Sequence, residues 1–545
     1  MCRSDAVTMM QPQRKSPPAY GIIFNWDGTP DGYSEYPQSL QQLLDIVYEP
    51  LEDTQVGALF WCVGTEEAKW PSETLSVVGD EEGRVYHSVK QMRRAEGLRA
   101  MFERGEDPYT AIVERGHQMG IHVYCSIRMN DNHFWSDTGR QAPPLKPEEM
   151  ATTARPGLTR LRKDHPEWCL GVDGAPKWAA TSWNMAIPEV REYRLRYISE
   201  ACRLADWDGV ELDWQRHAFH LPEHDAYRLR YTLTDLQRAV RSLADDVTAE
   251  RSKPFHVAVR VGASRETCRK IGYDIETWMG DGLCDIVATT ANSGTDPGVE
   301  VESFLELGKR RGISLYPGFD SHGESGAGRL TGSNTWRKAW YRGLAKGYFD
   351  RGADGVHIFN WHATGDSHRA LLTTVGAPET LDREDKVYAA VKRWIRARSE
   401  LRYGAERDDR LLGETPVALY PTMTGDGPKF HICIHDPVLE QAEAGNLKGV
   451  VLCVELAHFS PADRVAVTLD GHTLDAPKIR NLAAADPDNP ADVAENSWLV
   501  WDLDPAQADW GEHEIQFCVQ ERDPRIRPPL VVENVEFCVN YKSKG

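Results

Sequence analysis

The chain has 545 residues, too many for one hydrophobic core, so we expect one large domain and at least one smaller domain. Hydrophobic residues make up 41% and charged residues 27% of the sequence, which is typical of a globular protein and argues against disorder. The 63 basic and 83 acidic residues give a formal net charge of −20, which argues against nucleic acids and anionic membranes as partners.

The 11 cysteines are odd in number and scattered, which favours a reducing compartment. The sequence has no Cys-x-x-Cys pair, so we do not expect a structural zinc site. No cofactor is predicted. Residues 1–18 lack the apolar segment of a signal peptide, and no apolar run is long enough to cross a membrane. These features predict a cytoplasmic protein whose residues 1–18 are loosely ordered. The oligomeric state stays open, with a homo-oligomer among the alternatives.

From residue 19 to residue 403, short apolar runs alternate with longer helical patterns, which is typical of a parallel sheet built from βα units. Glycines such as Gly120, Gly312 and Gly352 follow predicted helices, where a left-handed residue ends a helix. The sequence therefore predicts an α/β fold, a (β/α)₈ TIM barrel with insertions. The predicted strands are Tyr20–Trp26, Val56–Val63, Ile121–Met129, Gly209–Trp214, His256–Val261, Asp285–Thr290, Ile313–Phe319 and Gly355–Trp361.

Two connections, from Gly64 to about Gly97 and from Asn130 to about Pro188, are too long for simple loops. Both follow a strand, so both lie on the C-terminal face, where barrels carry their chemistry. A last helix is predicted from about Asp385 to Arg402. Residues 404–545 then predict an antiparallel β-sandwich, which is structural, sugar-binding or dimerising. Its predicted strands are Val417–Leu419, Lys429–Ile434, Val450–Leu456, Val465–Leu469, Trp498–Leu503, His513–Gln520 and Val531–Tyr541.

The fourth barrel strand carries two carboxylates. Glu211 and Asp213 alternate with apolar residues, so both are expected to point into the barrel, unless they are an acid pair held by Arg or Lys for packing. Two carboxyl groups are the minimal equipment for cleaving a glycosidic bond. Asp213 is predicted as the nucleophile or transition-state stabiliser, with Glu211 or Asp320 as the proton donor.

Polar groups from other strand ends converge on the same end of the barrel, which favours a site, although any one of them alone would more often be structural. Tyr124 and Tyr316 are expected there as well. The predicted substrate-binding residues are Asp27, Arg128, Asn130, Asp131, His133, Trp135, Trp214, Arg216, His217, Arg260, Asn360, Trp361 and His362.

Many aromatic residues lie in the same loops. Their rings suit the C–H faces of sugars, unless they merely pack the long loops. The aromatic residues are Trp26, Trp61, Trp70, Phe134, Trp135, Trp168, Trp178, Trp183, Trp214 and Trp361.

Three arginines are predicted at the same end of the barrel: Arg128, Arg216 and Arg260. They match a carboxylate or sulfate group on the substrate, or they only neutralise the two strand-four acids. The expected partner is therefore a carbohydrate, and a carbohydrate with anionic groups is among the alternatives.

Four sequence blocks carry a family resemblance: His165–Trp168, Trp183–Asn184, Pro188–Tyr193 and Trp207–Trp214. They resemble the glycosyl-hydrolase-like barrel proteins related to the alpha-amylase superfamily. The resemblance implies a TIM barrel with a catalytic Asp at the end of strand four, here Asp213, and an appended β-sandwich. In alpha-amylases an Arg stands two residues before that Asp and an acid lies on strand five. Glu211 and Arg260 stand at those positions here, which leaves the proton donor unassigned.

The fourth strand is also similar to the chitinase motif of spaced acids. Asp208, Glu211 and Asp213 are in place, but Gln215 stands where that motif has its catalytic Glu. The departure disfavours a chitinase mechanism.

The leading interpretation is a glycoside hydrolase acting on an oligo- or polysaccharide. The second is a carbohydrate lyase acting on a uronate-containing glycan, with Tyr124, Tyr316 or His362 as its base. The third is a non-catalytic sugar-binding barrel, because strand five lacks the acid. A metal-dependent mechanism is a further alternative, because the side chains of Asp27, Asp131, His133 and Asp213 are able to bind a metal, but nothing in their spacing specifies one.

Overall fold

The computed structural model of the chain describes most of both predicted domains. No helix among the described residues is both long and apolar enough to cross a membrane. The described residues are 14–26, 38–80, 83–84, 86, 89–131, 159–175, 179–290, 298–320, 336–359, 366–390, 415–421, 427–483 and 493–543.

Eight parallel strands close into a barrel in chain order, β1 to β8, which confirms the predicted TIM barrel. The fifth strand has the predicted bounds, and the others differ by one or two residues at the ends that the structure describes. Residues 360 and 361, at the predicted end of the eighth strand, lie outside the described residues. Gly120, Gly312 and Gly352 have positive φ angles of 74°, 63° and 95°, as expected of residues that end helices. The strands are β1 Ile22–Trp26, β2 Val56–Gly64, β3 His122–Arg128, β4 Gly209–Asp213, β5 His256–Val261, β6 Ile286–Thr289, β7 Ser314–Asp320 and β8 Val356–Phe359.

Helices cover the outside of the barrel, and one apolar core fills the space between them and the strands. The first helix begins with a capping box in which Ser39 and Gln42 satisfy each other's backbone amides. The helices are α1 Leu40–Tyr48, α2 Val89–Glu103, α3 Pro108–Gln118, α4 Arg160–Asp164, α5 Gly171–Gly174, α6 Pro188–Ala201, α7 Ala226–Arg251, α8 Arg265–Lys270, α9 Ile275–Gly280, α10 Val301–Gly308, α11 Trp336–Asp350, α12 Asp366–Leu372, α13 Pro378–Leu381 and α14 Val438–Glu443.

A cluster of buried side chains fills the interior of the barrel at its N-terminal end. Tyr124 and Tyr316 belong to this cluster, so their predicted location at the C-terminal end was wrong. The Tyr124 hydroxyl contacts the Tyr20 hydroxyl at 2.9 Å, and the Tyr316 hydroxyl accepts a hydrogen bond from the Tyr20 amide. The physical reason is that alternation along a strand fixes which face a side chain occupies but not its level along the barrel axis.

The long connections after β2 and β3 are held together by a buried ion pair. Glu66, from the first connection, accepts hydrogen bonds from Arg162 at 2.8 and 2.9 Å and from the Trp183 indole at 2.5 Å. The Arg162 guanidinium also lies 4.4 Å from the centroid of the Trp183 ring. The described parts of the two connections therefore form one packed layer on the C-terminal face.

The C-terminal region contains two antiparallel sheets over a shared core, which confirms the predicted sandwich. One sheet has the order β10-β18-β12-β16-β15 with β9 also paired to β18, and the other has the order β11-β17-β13-β14. The strands are β9 Lys386–Ala389, β10 Val417–Leu419, β11 Lys429–Ile434, β12 Leu447–Ala457, β13 Arg464–Leu469, β14 His472–Thr473, β15 Lys478–Ala483, β16 Val493–Leu503, β17 Gly511–Glu521 and β18 Leu530–Tyr541.

The predicted helix from Asp385 to Arg402 was wrong at its start, because residues 386–389 form β9 and pair with β18. Val387 packs into the barrel core and Tyr388 into the sandwich core, so pairing and burial on two faces outweigh helix propensity. Residues 391–402 and the predicted boundary at residue 403 lie outside the described residues. Of the predicted loose N-terminus, Arg14 is described and pairs with Asp245 at 2.7 Å.

Candidate active site

The prediction that both strand-four acids point into the barrel is confirmed. Val210 and Leu212 pack in the outer core, whereas Glu211 and Asp213 contact residues of other strands across the interior. Asp213 lies at the C-terminal end of the barrel, which we call the barrel mouth, and Glu211 lies one layer beneath it. The two acids are therefore in different environments.

Asp213 is fixed through one of its two carboxylate oxygens. Its Oδ1 accepts hydrogen bonds from Arg260 Nη1 at 2.9 Å and from the backbone amides of Gln215 at 3.1 Å and Arg216 at 2.9 Å. Its Oδ2 has no hydrogen-bond partner among the described residues, and the side chain is 1% exposed. The three donors hold the carboxylate in place and compensate its charge.

Arg260 is held from two sides. Its guanidinium carbon lies 3.6 Å from the centroid of the Phe359 ring, and one of its nitrogens bonds Asp213. Arg216 approaches the same ring at 5.7 Å. The Phe359 ring therefore stabilises two arginines at the mouth. Of these, Arg260 holds Asp213 in place and does not act as the proton donor.

A second ion pair lies beside the first. Arg128 is level with Asp213 in the sheet register, donates to Asp131 Oδ2 at 3.0 Å and is buried. Burial, and then the charge of Arg216, lower the pKa of the Arg128 guanidinium. His217 Nδ1 lies 3.6 Å from Asp131 Oδ1, and its φ of 53° places it in the left-handed region. Arg128, Asp131, Arg216 and His217 are thus brought together with Asp213 and Arg260.

Two predicted binding residues are used in packing. Trp214 is fully buried and contacts His220, Tyr273 and Trp278 on the outer side of the barrel, as its position beside outward-facing Leu212 requires. The Asn130 amide is buried and exchanges hydrogen bonds with the Trp183 backbone, so it ties two loops together. Neither side chain reaches the mouth in this structure.

The interpretation of the tryptophans as sugar platforms is corrected for the described ones. Trp26 and Trp61 stack on each other, and Trp70 packs against Tyr197. These rings and that of Trp183 are buried, and Trp168 is partly exposed with its face covered by His165. Trp26 and Trp61 are strand residues that pack in the barrel core, whereas Trp70, Trp168 and Trp183 pack the long connections.

The remaining predicted site residues are described by their backbone alone or lie outside the described residues. Asp320 is described by its backbone, which pairs in register with Phe359. Asp27, His133, Trp135, Asn360, Trp361 and His362 lie outside the described residues, as do Phe134 and Trp178, so their roles stay predictions.

Sequence reasoning missed two inward residues of β8, His357 and Phe359. His357 Nε2 lies 3.4 Å from Glu211 Oε1, and Phe359 supports Arg260. The alternation of the segment Val356-His357-Ile358-Phe359 would have revealed both. It also missed that Gln215 is fully buried with neither side-chain polar atom bonded to a described residue.

Asp208, the first acid of the motif of spaced acids, lies at the other end of the barrel. Its Oδ2 accepts hydrogen bonds from His117 Nε2 and the Val123 amide, both at 2.8 Å, and Lys253 lies 3.2 Å from its Oδ1. Burial alone would raise its pKa, but these hydrogen bonds and charges outweigh burial and lower the pKa to about 2. Asp208 is therefore an ionised structural residue.

We expect Asp208→Asn to destabilise the protein by about 2 kcal/mol at neutral pH, since each unit of pKa shift is worth ~1.4 kcal/mol. A depressed pKa contributes stability above its ordinary value of 3.8, and this stability is lost as the pH falls towards 2. Denaturant unfolding at several pH values measures both effects. The exposed Asp235→Asn is the control, and equal losses in the two variants would contradict the assignment.

Among the described residues, no cluster of three or more His, Cys, Asp or Glu side chains could hold a metal ion. The fold and the mouth residues define a (β/α)₈-barrel protein with a buried carboxylate and guanidinium pair at the C-terminal end of its barrel. This is the position at which barrel enzymes carry their catalytic residues.

The sequence matches no known protein-family profile and no curated protein. Similar solved structures include a cycloisomaltooligosaccharide glucanotransferase from Paenibacillus sp., with 9% identity, coverage of 94% of this chain and 57% of that chain, and a TM-score of 0.32. The chain thus spans 57% of the length of that protein. A chitinase-like agglutinin from Robinia pseudoacacia has 11% identity, coverage of 66% and 100%, and a TM-score of 0.35. For a glycoside hydrolase family 18 N-acetylglucosaminidase from Paenibacillus barengoltzii the values are 12%, 66%, 100% and 0.33. Similarity this low says nothing about the reaction of this chain.

Proposed function

We propose that the chain is a carbohydrate-active barrel enzyme that hydrolyses glycosidic bonds of an oligo- or polysaccharide. The observation that carries the proposal is the hydrogen bonding of the Asp213 carboxylate. Its Oδ1 accepts three hydrogen bonds, while its Oδ2 has no partner among the described residues. A fixed carboxylate with one available oxygen suits the nucleophile of a retaining enzyme. It equally suits a group that stabilises the positive charge of an oxocarbenium-like transition state.

The proton donor in this proposal is Asp320 and not Glu211. Glu211 is fully buried, and its Oε2 accepts hydrogen bonds from Asn25 at 2.8 Å and Ser126 at 2.5 Å. It also lies one layer below Asp213 and Arg260, so a leaving-group oxygen would have to enter the barrel to reach it. Asp320 is the other acid that the sequence offers, and its backbone is in register with Phe359 at the end of β7.

The proposal extends to substrates that carry a carboxylate or sulfate group. Arg128 and Arg216 lie close enough for one charge to lower the pKa of the other, and Arg260 is on the adjacent strand. Guanidinium groups bind carboxylate and sulfate groups through paired hydrogen bonds. An anionic sugar would relieve the repulsion between the two neighbouring arginines. The same charges lie beside Asp131 and Asp213, so the preference needs a direct test.

The test is a panel of neutral, uronate-containing and sulfated oligosaccharides incubated with the wild-type protein. We expect new reducing ends on an anionic member, without an unsaturated product that absorbs in the ultraviolet. Cleavage of neutral members alone would keep hydrolysis and reject the anionic preference. An ultraviolet-absorbing product would instead identify a lyase, and binding without cleavage across the panel would identify a sugar-binding barrel.

A further inference from the structure

One indole ring lies on the surface of the sandwich, away from the barrel mouth. Trp510, which directly precedes β17, is 60% exposed, whereas every other tryptophan side chain that the structure describes is buried or partly buried. Its Nε1 donates a hydrogen bond at 3.1 Å to Asp350, the last residue of α11. Because α11 leads into the N-terminal end of β8, this ring lies at the end of the barrel opposite the mouth.

The edge of the ring is fixed in position. The Oδ2 atom of Asp350 that accepts from Trp510 also lies 2.8 Å from His435 Nδ1, which holds the carboxylate in place. The backbone beside the ring is held as well, because the carbonyl oxygen of Asp509 lies 2.7 Å from His513 Nε2. A side chain that is already ordered loses little conformational entropy when a ligand covers it.

The exposed apolar surface at this place is small. Leu439, which is 38% exposed, lies beside the ring, since its amide donates to Asp509 Oδ1 at 3.0 Å. A specific protein interface covers about 800 Å² on each partner, more than half of it apolar. A ligand that covers one aromatic side chain removes at most about 250 Å² from water. The surface formed by Trp510 and Leu439 therefore fits a single flat ring better than it fits a protein partner.

The charged groups around the ring are mainly acidic. Burial, and then the charges of Asp350 and Glu512, raise the pKa of the Cys433 thiol, so both carboxylates lie near one point of the surface. The nearby cation Arg351 is already paired with Glu302 at 2.6 Å. Carboxylates accept hydrogen bonds from sugar hydroxyls but repel an anionic sugar. The charges here therefore favour an uncharged sugar, in contrast to the arginines at the mouth.

We propose that Trp510 is the platform of a second carbohydrate-binding site, which takes an uncharged sugar unit of a polysaccharide. The exposed face of the indole ring stacks on the C–H face of the sugar, and the carboxylates beside its edge accept hydrogen bonds from the hydroxyls. The inference rests on the proposed function, since a polysaccharide held on the sandwich keeps the enzyme on its substrate. It assigns sugar binding to the C-terminal domain.

Affinity electrophoresis of the full-length protein tests this site, with hydroxyethyl cellulose, glucomannan, xylan and soluble starch as separate probes in the gel. We expect at least one probe to slow the wild-type protein, with an apparent dissociation constant that rises at least about tenfold in Trp510→Leu. Trp510→Phe keeps a ring and should retain most of the binding. Tyr420→Leu is the matched control, because Tyr420 is an exposed aromatic residue of the same domain, and this variant should bind like the wild type.

Turnover of the cleaved oligosaccharide separates this site from the mouth. Trp510→Leu should cleave it at the wild-type rate, because the ring lies at the other end of the barrel. Equal retardation of the wild type and Trp510→Leu in every gel would overturn the inference, while release of reducing ends would still decide the function of the mouth. A wild-type dimer that dissociates in Trp510→Leu, measured by sedimentation, would also overturn it, since the ring would then lie between two copies of the chain.

Discussion

Asp213→Asn should lower turnover of the cleaved oligosaccharide by at least about 10³-fold, the scale of loss when a charged member of a catalytic group is removed. Asn retains an oxygen that can accept the hydrogen bonds of Arg260 and the two backbone amides. It is isosteric with Asp, so the barrel mouth should keep its shape. What disappears is the negative charge on Oδ2, which the reaction requires.

Substrate binding distinguishes this loss from simple unfolding. The variant should bind the oligosaccharide with nearly wild-type affinity and unfold at a similar denaturant concentration, while releasing almost no reducing ends. Asp225→Asn is the matched control, because Asp225 lies on the same connection after β4, but its side chain is 44% exposed and paired with Arg228. Turnover within a few-fold of wild type in Asp213→Asn would show that Asp213 is not a catalytic residue.

Alternation along the strands predicted the inward set at the mouth well. Arg128, Asp213 and Arg260 lie level on three neighbouring strands, as the registers of β3, β4 and β5 require. Strand geometry alone decides which face of the sheet each side chain occupies, so a sequence pattern is enough to predict it. That a salt bridge would join Asp213 to Arg260 could not be predicted, because the pairing depends on the register between strands.

The sequence did not determine how deep in the barrel a side chain lies or how the loops pack. Tyr124 and Glu211 face the barrel interior, as Arg128 and Asp213 do, yet they lie lower in the barrel and contact residues of other layers. Asn130 lies two residues beyond the end of β3, where periodicity stops and the neighbouring loops decide its contacts. Contacts between connections that are distant in sequence are invisible to any local pattern.

The ion pair between Glu66 and Arg162 is such a contact, and removing its cation should strongly destabilise the protein. The Arg162 side chain is 0% exposed and that of Glu66 is 7% exposed. We expect Arg162→Met to lower the free energy of unfolding by about 3–5 kcal/mol, because Glu66 would stay buried without its partner. Denaturant unfolding measures the loss.

Arg160→Met is the matched control, since Arg160 lies on the same helix but is 73% exposed and pairs with Asp164, which is also exposed. That variant should change stability by less than about 0.5 kcal/mol. In Glu66→Gln/Arg162→Met the buried charge is gone, while the Gln oxygen can still accept from the Trp183 indole. The double variant should therefore be more stable than Arg162→Met. If the two were equally unstable, the cost would come from lost packing of the Arg162 side chain against Trp183, and the charge of Glu66 would not be its cause.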